Sequence, residues 1–570
     1  MSPVTAPAAT TTPTALPSAD TAVAHTLLNC LLREVAAPAG ESAVVDGSVL
    51  VRLPRSGAVL RVAVRRVALI GAHRFAGPVS EHRDGTWRAV DWRRIAELTH
   101  AELALRTGVR NEEFLRQVAS SHRGVRAGLA AGPRPAAADR HGTYVASEQS
   151  LLLGHRFHPT PKARTGDAHT WSSYAPETGA AFRLRHLAVR VHLVAQDAAE
   201  PAAAAPLDRL HPDVPAGYRL LPAHPWQYAL LREHPALRRA LREGDVLDLG
   251  ERGRPFAATS SVRTLYDGET FLKFSLNVRI TNCVRKNASY ELAGAVALTR
   301  VLGTVLDGLT RRFPGTAVLR EPAYRSLALP GGRGGGPDLL EGFGVIVREG
   351  LPRRMLPGTT ALLAAAVADE YPTGPGHLSH LLAGAGPERT LDWWTSYLDL
   401  LLPPVLAAYF DHGLVLEPHL QNVVVCVDGD GMPAQILLRD LEGAKLLPTH
   451  HARTLAALPP DVAGPLTYDA GRGWDRVVYC LLVNHVAELL AALADRHPHL
   501  EAALWDRVRA VLATAAVRHG RPARLTALLA GAPLPAKANL LTRWDRRADR
   551  EARYLPLPSP FGRPAPEDAR

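Results

Sequence analysis

The chain has 570 residues and a formal net charge of +11, with 46% hydrophobic and 6% aromatic residues. That length exceeds what one hydrophobic core organises, and the composition excludes a disordered or fibrous protein, so two or three subdomains are expected. The arginines are dispersed and form no basic run interleaved with aromatics, which argues against nucleic acid and for a cleft that takes small anions.

Residues 1–20, rich in Ala, Thr, Pro and Ser, read as a disordered tail rather than a secretion signal. Ala22 to about Ala130 mixes an amphipathic helix (Ala24 to Val35), strands (Val44 to Leu53 and Val59 to Ile70) and a charged helix (Trp92 to Arg106), and reads as a domain without chemistry of its own. Ala131 to Arg140 is a Pro/Ala-rich surface connection. Strands follow at Arg183 to Val194 and Gly217 to Leu221 and continue to about Thr281; a helix then runs from Ala288 to Leu309. Gly331 to Gly336 lacks the GK[ST] of a phosphate-binding loop and reads as a surface loop. The final third is helical around Thr390 to His412, Trp474 to Arg496 and Leu500 to Arg518. No stretch reaches the roughly 18 uninterrupted apolar residues of a membrane-crossing helix. The four cysteines, Cys30, Cys283, Cys426 and Cys480, form no CxxC pair, and a reducing cytoplasm fits them.

Only five of the 66 basic residues are lysines: Lys162, Lys273, Lys286, Lys445 and Lys537. In a chain that so prefers arginine, a retained lysine suggests a site that wants a compact ammonium. Lys162 belongs to Gly154-His-Arg-Phe-His-Pro-Thr-Pro-Lys-Ala-Arg-Thr-Gly166, where His155, His158, Lys162 and Arg164 crowd into a Pro-punctuated loop. HxxH could hold zinc, but two cations nearby would repel it, so anion binding is favoured. Ala223-His-Pro-Trp-Gln-Tyr228 reads equally as packing.

Lys273 lies in a hairpin. Ser260-Ser-Val-Arg-Thr264 leads through an Asp267-Gly268 turn to Thr270-Phe-Leu-Lys-Phe-Ser-Leu276, so that Thr264, Phe271, Lys273 and Ser275 share a face. A two-residue turn puts Arg263 on the other face unless a bulge intervenes. A strand lysine can hold phosphates, and Asn277 to Arg285 adds hydroxyl, amide and guanidinium groups that clamp anions.

A second hairpin runs from Leu416-Glu-Pro-His-Leu-Gln-Asn422 through Val423–Val427 and Asp428-Gly-Asp-Gly431 to Arg439-Asp440. With Val427 opposite Met432, Asn422 faces Leu437 and His419 faces Asp440, so Glu417, His419, Asn422 and Asp440 converge at one end. Asn and Asp oxygens placed so suit Mg²⁺ on a triphosphate.

In this order, His-Pro-x-x-Lys, His-Pro-Trp-Gln, Ser-x-Arg-Thr, Lys, Thr-Asn-x-x-Arg, His-x-Gln-Asn and Arg-Asp resemble the IucA/IucC family of NRPS-independent siderophore synthetases. The likeness spans about Glu148 to Gly443, with an echo at Lys537 to Arg543. It departs at Arg156-Phe157, where many relatives carry Pro and a small residue, and at Asp167, where an aromatic is common.

The resemblance implies an α+β, three-subdomain cupped hand: a thumb (21–150), β-rich fingers (151–350) and a helical palm (351–570) with a kinase-like nucleotide site. It implies a cytoplasmic, commonly dimeric ligase that uses ATP and Mg²⁺ to adenylate a carboxylate of citrate or a related acid such as 2-oxoglutarate, then joins it to an amine or alcohol. Ser261, Arg263, Thr264, Lys273, Arg285, His419 and Gln421 would contact ATP, with Lys273, Arg285 and His419 at the reacting groups. Glu417, Asn422 and Asp440 would hold Mg²⁺, while His155, His158, Lys162, Arg164 and Thr281 would face the polyacid. Lys273, Asn422 and Asp440 would also serve a kinase-like phosphotransferase, and a citrate or iron-chelate binding protein would need no Mg²⁺ ligands.

Overall fold

The computed structural model describes residues 15–132, 139–211, 213–280, 283–330, 337–374, 376–548 and 551–562. Most of the Pro/Ala connection, the Gly331 to Gly336 loop and Thr281 lie outside these.

The end of the expected tail is helical, because Ser18 accepts the Thr21 backbone N–H and caps a helix over Ala19–Leu31. That helix packs with Trp92–Thr107 and Glu112–Ala130 on a five-stranded antiparallel meander built from Ser42–Val45, Ser48–Arg52, Val59–Arg66, Arg74–Arg83 and Thr86–Val90. The expected strand from Val44 to Leu53 is two strands, since Asp46 and Gly47 both adopt positive φ and turn the chain. The second expected strand stops at Arg66 rather than Ile70. Leu540 and Trp544, from near the end of the sequence, complete this core.

An eight-stranded antiparallel sheet follows, ordered Val194–Ala198, Ala323–Leu327, Val345–Glu349, Thr270–Phe274, Thr264–Tyr266, Val246–Ala258, Ala181–Arg190, Tyr218–Ala223. A four-stranded sheet ordered Thr316–Val318, Pro433–Leu438, Val423–Val427, Thr360–Leu363 lies beside it. Tyr144, Tyr266 and Phe271 pack with Val424, Cys426 and Leu437, welding the two sheets through one small core. Side chains alternate along a strand, so Lys273 shares the face of Phe271 and is carried to this junction.

The largest core belongs to the helices Pro387–His412 and Glu501–Arg518 and the continuous helical run Ala470–Arg496. Ser289–Arg312 and Ala470–Arg496 are long and apolar enough to cross a membrane, but the latter is buried over 89% of its apolar window inside the protein. Tyr479–Val486 within it is π-helical, and that widened turn places His485 beneath the Glu417–Asn422 segment. The His485 Nδ1–H donates to the Pro418 carbonyl at 2.8 Å. Burial holds this imidazole neutral, with its pKa pushed down to about 4, so Nε2 accepts from the Tyr397 hydroxyl at 2.6 Å.

Candidate active site

Lys273 is 2% exposed and reaches three carboxylates. Its Nζ is 2.5 Å from Asp440 Oδ1, touches Glu442, and lies 3.9 Å from Glu321. Burial alone would depress its pKa, but the three carboxylates outweigh that and raise it. Burial would likewise raise Asp440, yet Lys273 and Arg348 hold its carboxyl far below the usual range, and Glu442 is lowered by Lys273 and Arg263. Lys273, Asp440 and Glu442 are therefore each held toward their charged forms. Arg348 ties it together by donating to Glu321 at 2.6 Å and to Asp440 at 3.1 Å.

Backbone geometry aims these groups. Asp440 follows the Pro433–Leu438 strand in the left-handed region (φ 76°, ψ 69°), an unusual conformation for a side chain other than Gly. The 423–438 hairpin departs from the expected register by one residue at the turn, where Val427 faces Pro433, and by two beyond a bulge at Cys426/Val427, where Val424 faces Leu437 and Val423 faces Leu438. The extra turn residue comes from Asp428, whose carboxylate accepts the Asp430 and Met432 amides. Asn422 thus adjoins Arg439, whose N–H it accepts at 3.0 Å, rather than Leu437. His419 leaves the ladder, because Leu420–Asn422 is a 3₁₀ turn.

At the other hairpin, Thr264 faces Lys273 and Tyr266 faces Phe271, so the loop has four residues rather than two. Asp267 accepts the Glu269 and Thr270 amides across it. The shared face of Thr264 and Lys273 survives because the shift is even. Arg263 does not follow strand alternation: it follows Val262 at φ 67°, in a loop, and swings its guanidinium to Glu442 (3.3 Å) and Asn287. Asn287, fully buried, also donates to the carbonyls of Lys273 and Gly344.

Glu148, buried at 1% exposure, joins the two hairpins. It accepts from Arg439 at 2.5 Å and from the Ser260 amide at 3.0 Å. Arg439 in turn donates to the Gln421 carbonyl, and Gln421 donates to Ser260 Oγ at 3.3 Å. Ser261 Oγ accepts the Thr264 amide. Glu417 pairs with Arg476 at 3.2 Å, and a Cβ at Gly443 would sit 2.8 Å from the Glu417 carboxylate and push it aside.

The His-Pro loop reaches the same place. His155 Nδ1 accepts the Phe157 amide, so the neutral ring carries its proton on Nε2, which is buried and has no hydrogen-bond partner. Burial, then the nearby His158, Arg33, His419 and Lys537, push its pKa down to about 3. His419 is lowered too, mainly by burial, with Glu417 and Asp440 opposing and Arg476 and Lys537 reinforcing the shift. The imidazole of His419 thus feels the carboxylates of Glu417 and Asp440 on the one hand and the cations Arg476 and Lys537 on the other. An orphaned N–H facing this cationic surface suits an acidic oxygen brought by a ligand.

Lys162 and Arg164 take a different direction. Both bond Glu177, Lys162 at 3.6 Å, and Lys162 also donates to the Leu151 carbonyl at 2.7 Å. Burial pushes Lys162 down to about 7 and Arg164 to about 10. Gly124 permits this packing, since a Cβ there would lie 2.7 Å from the Lys162 carbonyl. Arg285 sits opposite Leu276 at the end of the Leu276–Ile280/Cys283–Arg285 ribbon. His224 caps the helix Pro225–Leu231 and Gln227 bridges Asn277 N–H and Gly342 carbonyl, so that motif is packing.

Glu148, Asn287, Glu321, Arg348 and Glu442 were not foreseen. Glu442 lies two residues beyond Asp440, and proximity could have flagged it. Lys537 was visible as a rare lysine. Arg33 shows that the N-terminal region is not without a part here, its guanidinium lying 3.1 Å over the Phe157 ring.

Residues 143–369 match the IucA / IucC family, and residues 391–552 match the family described as ferric iron reductase FhuF-like transporter. The chain is 29% identical over 531 residues to the rhizobactin siderophore biosynthesis protein RhbC of Rhizobium meliloti, covering 87% of this chain and 88% of that one. It is 32% identical over 387 residues to the L-2,3-diaminopropanoate–citrate ligase of Staphylococcus aureus, covering 64% and 65%. Its fold is similar to that of ATP-bound aerobactin synthetase IucA from Klebsiella pneumoniae, with a TM-score of 0.82 at 24% identity over 95% of this chain and 99% of that one.

Proposed function

This chain belongs to the IucA/IucC family, and on that premise we propose that it is an ATP-dependent ligase that condenses a carboxylate of citrate with an amine in siderophore assembly. The observation that carries the reading is the charge arrangement: Asp440 and Glu442 around Lys273, with His155, His158, Arg33 and Lys537 near one another and Lys537 also acting on His419. A nucleotide and a polyacid are both anions, and only a cationic surface with a divalent cation offsets their repulsion.

In the reaction, a citrate carboxylate oxygen attacks the α-phosphorus of ATP and the bond to pyrophosphate breaks. The amine then attacks the acyl carbon, AMP leaves with the acyl-oxygen bond electrons, and the amine proton passes to a base. Lys273 and Arg263 would hold phosphate oxygens, aided by Ser261, Thr264, Arg285 and Gln421. His419, neutral at physiological pH, would lie between phosphate and carboxylate. His155 and His158 would take the acid through their ring nitrogens, with Lys162, Arg164 and Thr281 completing the subsite once Glu177 yields its partners.

Glu417, Asn422 and Asp440 fit Mg²⁺ by the chemistry of their oxygens. Among the described residues no group of three or more His, Cys, Asp or Glu is arranged to hold a metal. Bound there, Mg²⁺ would neutralise charge on the leaving pyrophosphate.

The finer architecture belongs to this reading: a thumb over 21–150, fingers over 151–350 and a palm over 351–570 around a kinase-like nucleotide site, in a cytoplasmic homodimer. What supports the kinase likeness is Lys273 on a strand paired with Asp440 after a hairpin.

Product analysis tests the proposal. Purified protein with Mg²⁺-ATP, citrate and hydroxylamine should yield AMP, pyrophosphate and a hydroxamate in a citrate-dependent manner, beside controls with 2-oxoglutarate and succinate. ADP as the product would replace the ligase with a phosphotransferase.

A further inference from the structure

We propose that the outer face of the eight-stranded sheet carries a second ligand site, for an amphipathic organic anion: an apolar or aromatic body bearing one carboxylate or phosphate. It does not depend on the ligase reading. A cavity of 430 Å³ opens there, within the range of small-molecule sites. Leu184, Leu210, Phe256 and Leu272 supply apolar walls, while Arg209 and Arg252 bring cationic heads.

The cavity is a product of sheet geometry. Phe182 faces Phe256 but Leu184 faces Arg252, so two residues of one strand span four of its neighbour and Gly253 to Pro255 bulge outward. Gly253 adopts φ 79°, which turns the bulge, and bulges re-aim the side chains beside them. Leu272 faces this cavity whereas Phe271 and Lys273 point to the opposite side. The cavity and the Lys273 cluster therefore lie on opposite faces of one sheet.

The polar groups are unevenly satisfied. Arg254 is neutralised by Asp267 at 2.6 Å and Glu269 at 3.2 Å. Arg209 and Arg252 form no ion pair among the described residues, and Arg252 uses its Nε on the Leu249 carbonyl at 2.8 Å. His186, 1% exposed, lines the cavity with Nδ1 buried and unbonded. Burial, His211 and Arg252 push its pKa down to about 4, so it offers a neutral ring rather than a third charge. Asp267 and Glu269 also line the cavity, with Glu269 within the field of Arg209, and against these two carboxylates Arg209, Arg252 and Arg254 leave one net positive charge above an apolar pocket, which selects one anionic group on a hydrophobic body.

Calorimetric titration of the full chain with 2-naphthoate, with and without saturating Mg²⁺-ATP, tests the assignment. The expected result is one-to-one binding that persists with ATP, and that weakens at least tenfold for the neutral analogue 2-naphthalenemethanol and for the variant Arg209→Ala/Arg252→Ala. Leu210→Trp, which fills the cavity without touching charge, should also abolish binding. No binding at millimolar probe, displacement by ATP, or unchanged affinity in the double-arginine and Leu210→Trp variants would overturn the site.

Discussion

Lys273 Nζ stands 2.5 Å from Asp440 Oδ1 although 167 residues separate the two, and Glu442 closes on the same ammonium. A central strand of one sheet and the end of a hairpin in another are thereby locked together at the point where chemistry is proposed. A buried ammonium whose carboxylate partners are partly open to the cleft can release them to ligand atoms only if phosphates replace their charge.

Lys273→Ala should lower pyrophosphate release at least 100-fold, the size of effect seen when a charge-stabilising donor is removed. It leaves Asp440 and Glu442 facing each other with only Arg348 and Arg263 to balance them, so urea denaturation should show a loss of about 3 kcal/mol. Glu442→Gln keeps the shape and removes one charge. It should lower turnover about tenfold with a smaller loss of stability, and wild-type turnover would place Glu442 outside the reaction.

Citrate affinity should follow the charge on Lys162. Its pKa is pushed down to about 7, so it is charged below that pH and neutral above it. The KM for citrate should rise as pH increases from 6 to 9. Lys162→Arg, which stays charged, should flatten the profile, and an identical slope in Lys162→Gln would remove Lys162 from the acid subsite.

Stability should fall as pH rises through neutrality. Glu34, 1% exposed, has its pKa raised from 4.5 to about 8 by burial, against the Leu540 and Leu541 amides that lower it. Between those values the folded state binds more protons than the unfolded one, so unfolding becomes easier with increasing pH by up to about 1.4 kcal/mol per unit. Asp440 and Glu442 act oppositely: their pKa values are depressed on folding, so their stabilisation is present above the ordinary carboxylate range and is lost in acid. Urea midpoints at pH 5, 6, 7 and 8 read the slope, and Glu34→Gln should flatten it.

Arg156 should act as a positioning residue for the His155 loop. It donates to Glu370 at 2.7 Å and to the His73 carbonyl at 3.3 Å, and lies 3.6 Å from Glu488, tying the loop to the N-terminal domain and the helical region. Arg156→Ala should raise the KM for citrate about tenfold with the KM for ATP nearly unchanged, and Arg156→Lys should recover part of it. Equal changes in both constants would point to general loosening.

Much of this was legible in order along the chain. Alternation put Lys273 on the face of Thr264, and that held because the turn is longer by an even number of residues. The hairpin ending at Asp440 was visible from its valine run and Asp-Gly turn. Its register was not, because the Cys426/Val427 bulge depends on how Asp428 bonds the turn amides, and the longer turn and the bulge together shift the pairing by two residues, moving Asn422 from Leu437 to Arg439. Arg263 escaped strand logic through the positive φ of Val262.

Sequence by itself determined which short segments carry the charged and imidazole groups, and that they fall into two hairpins and a loop, since periodicity and turn chemistry are local. Only the tertiary structure decided which carboxylates Lys273 meets, that Glu148 joins the two hairpins, that Lys162 and Arg164 turn to Glu177, and that Arg33 and Lys537 stand beside His155. Those pairings cross up to hundreds of residues and are chosen by the mutual cost of burying charge, a quantity that exists only once the sheets and helices have packed.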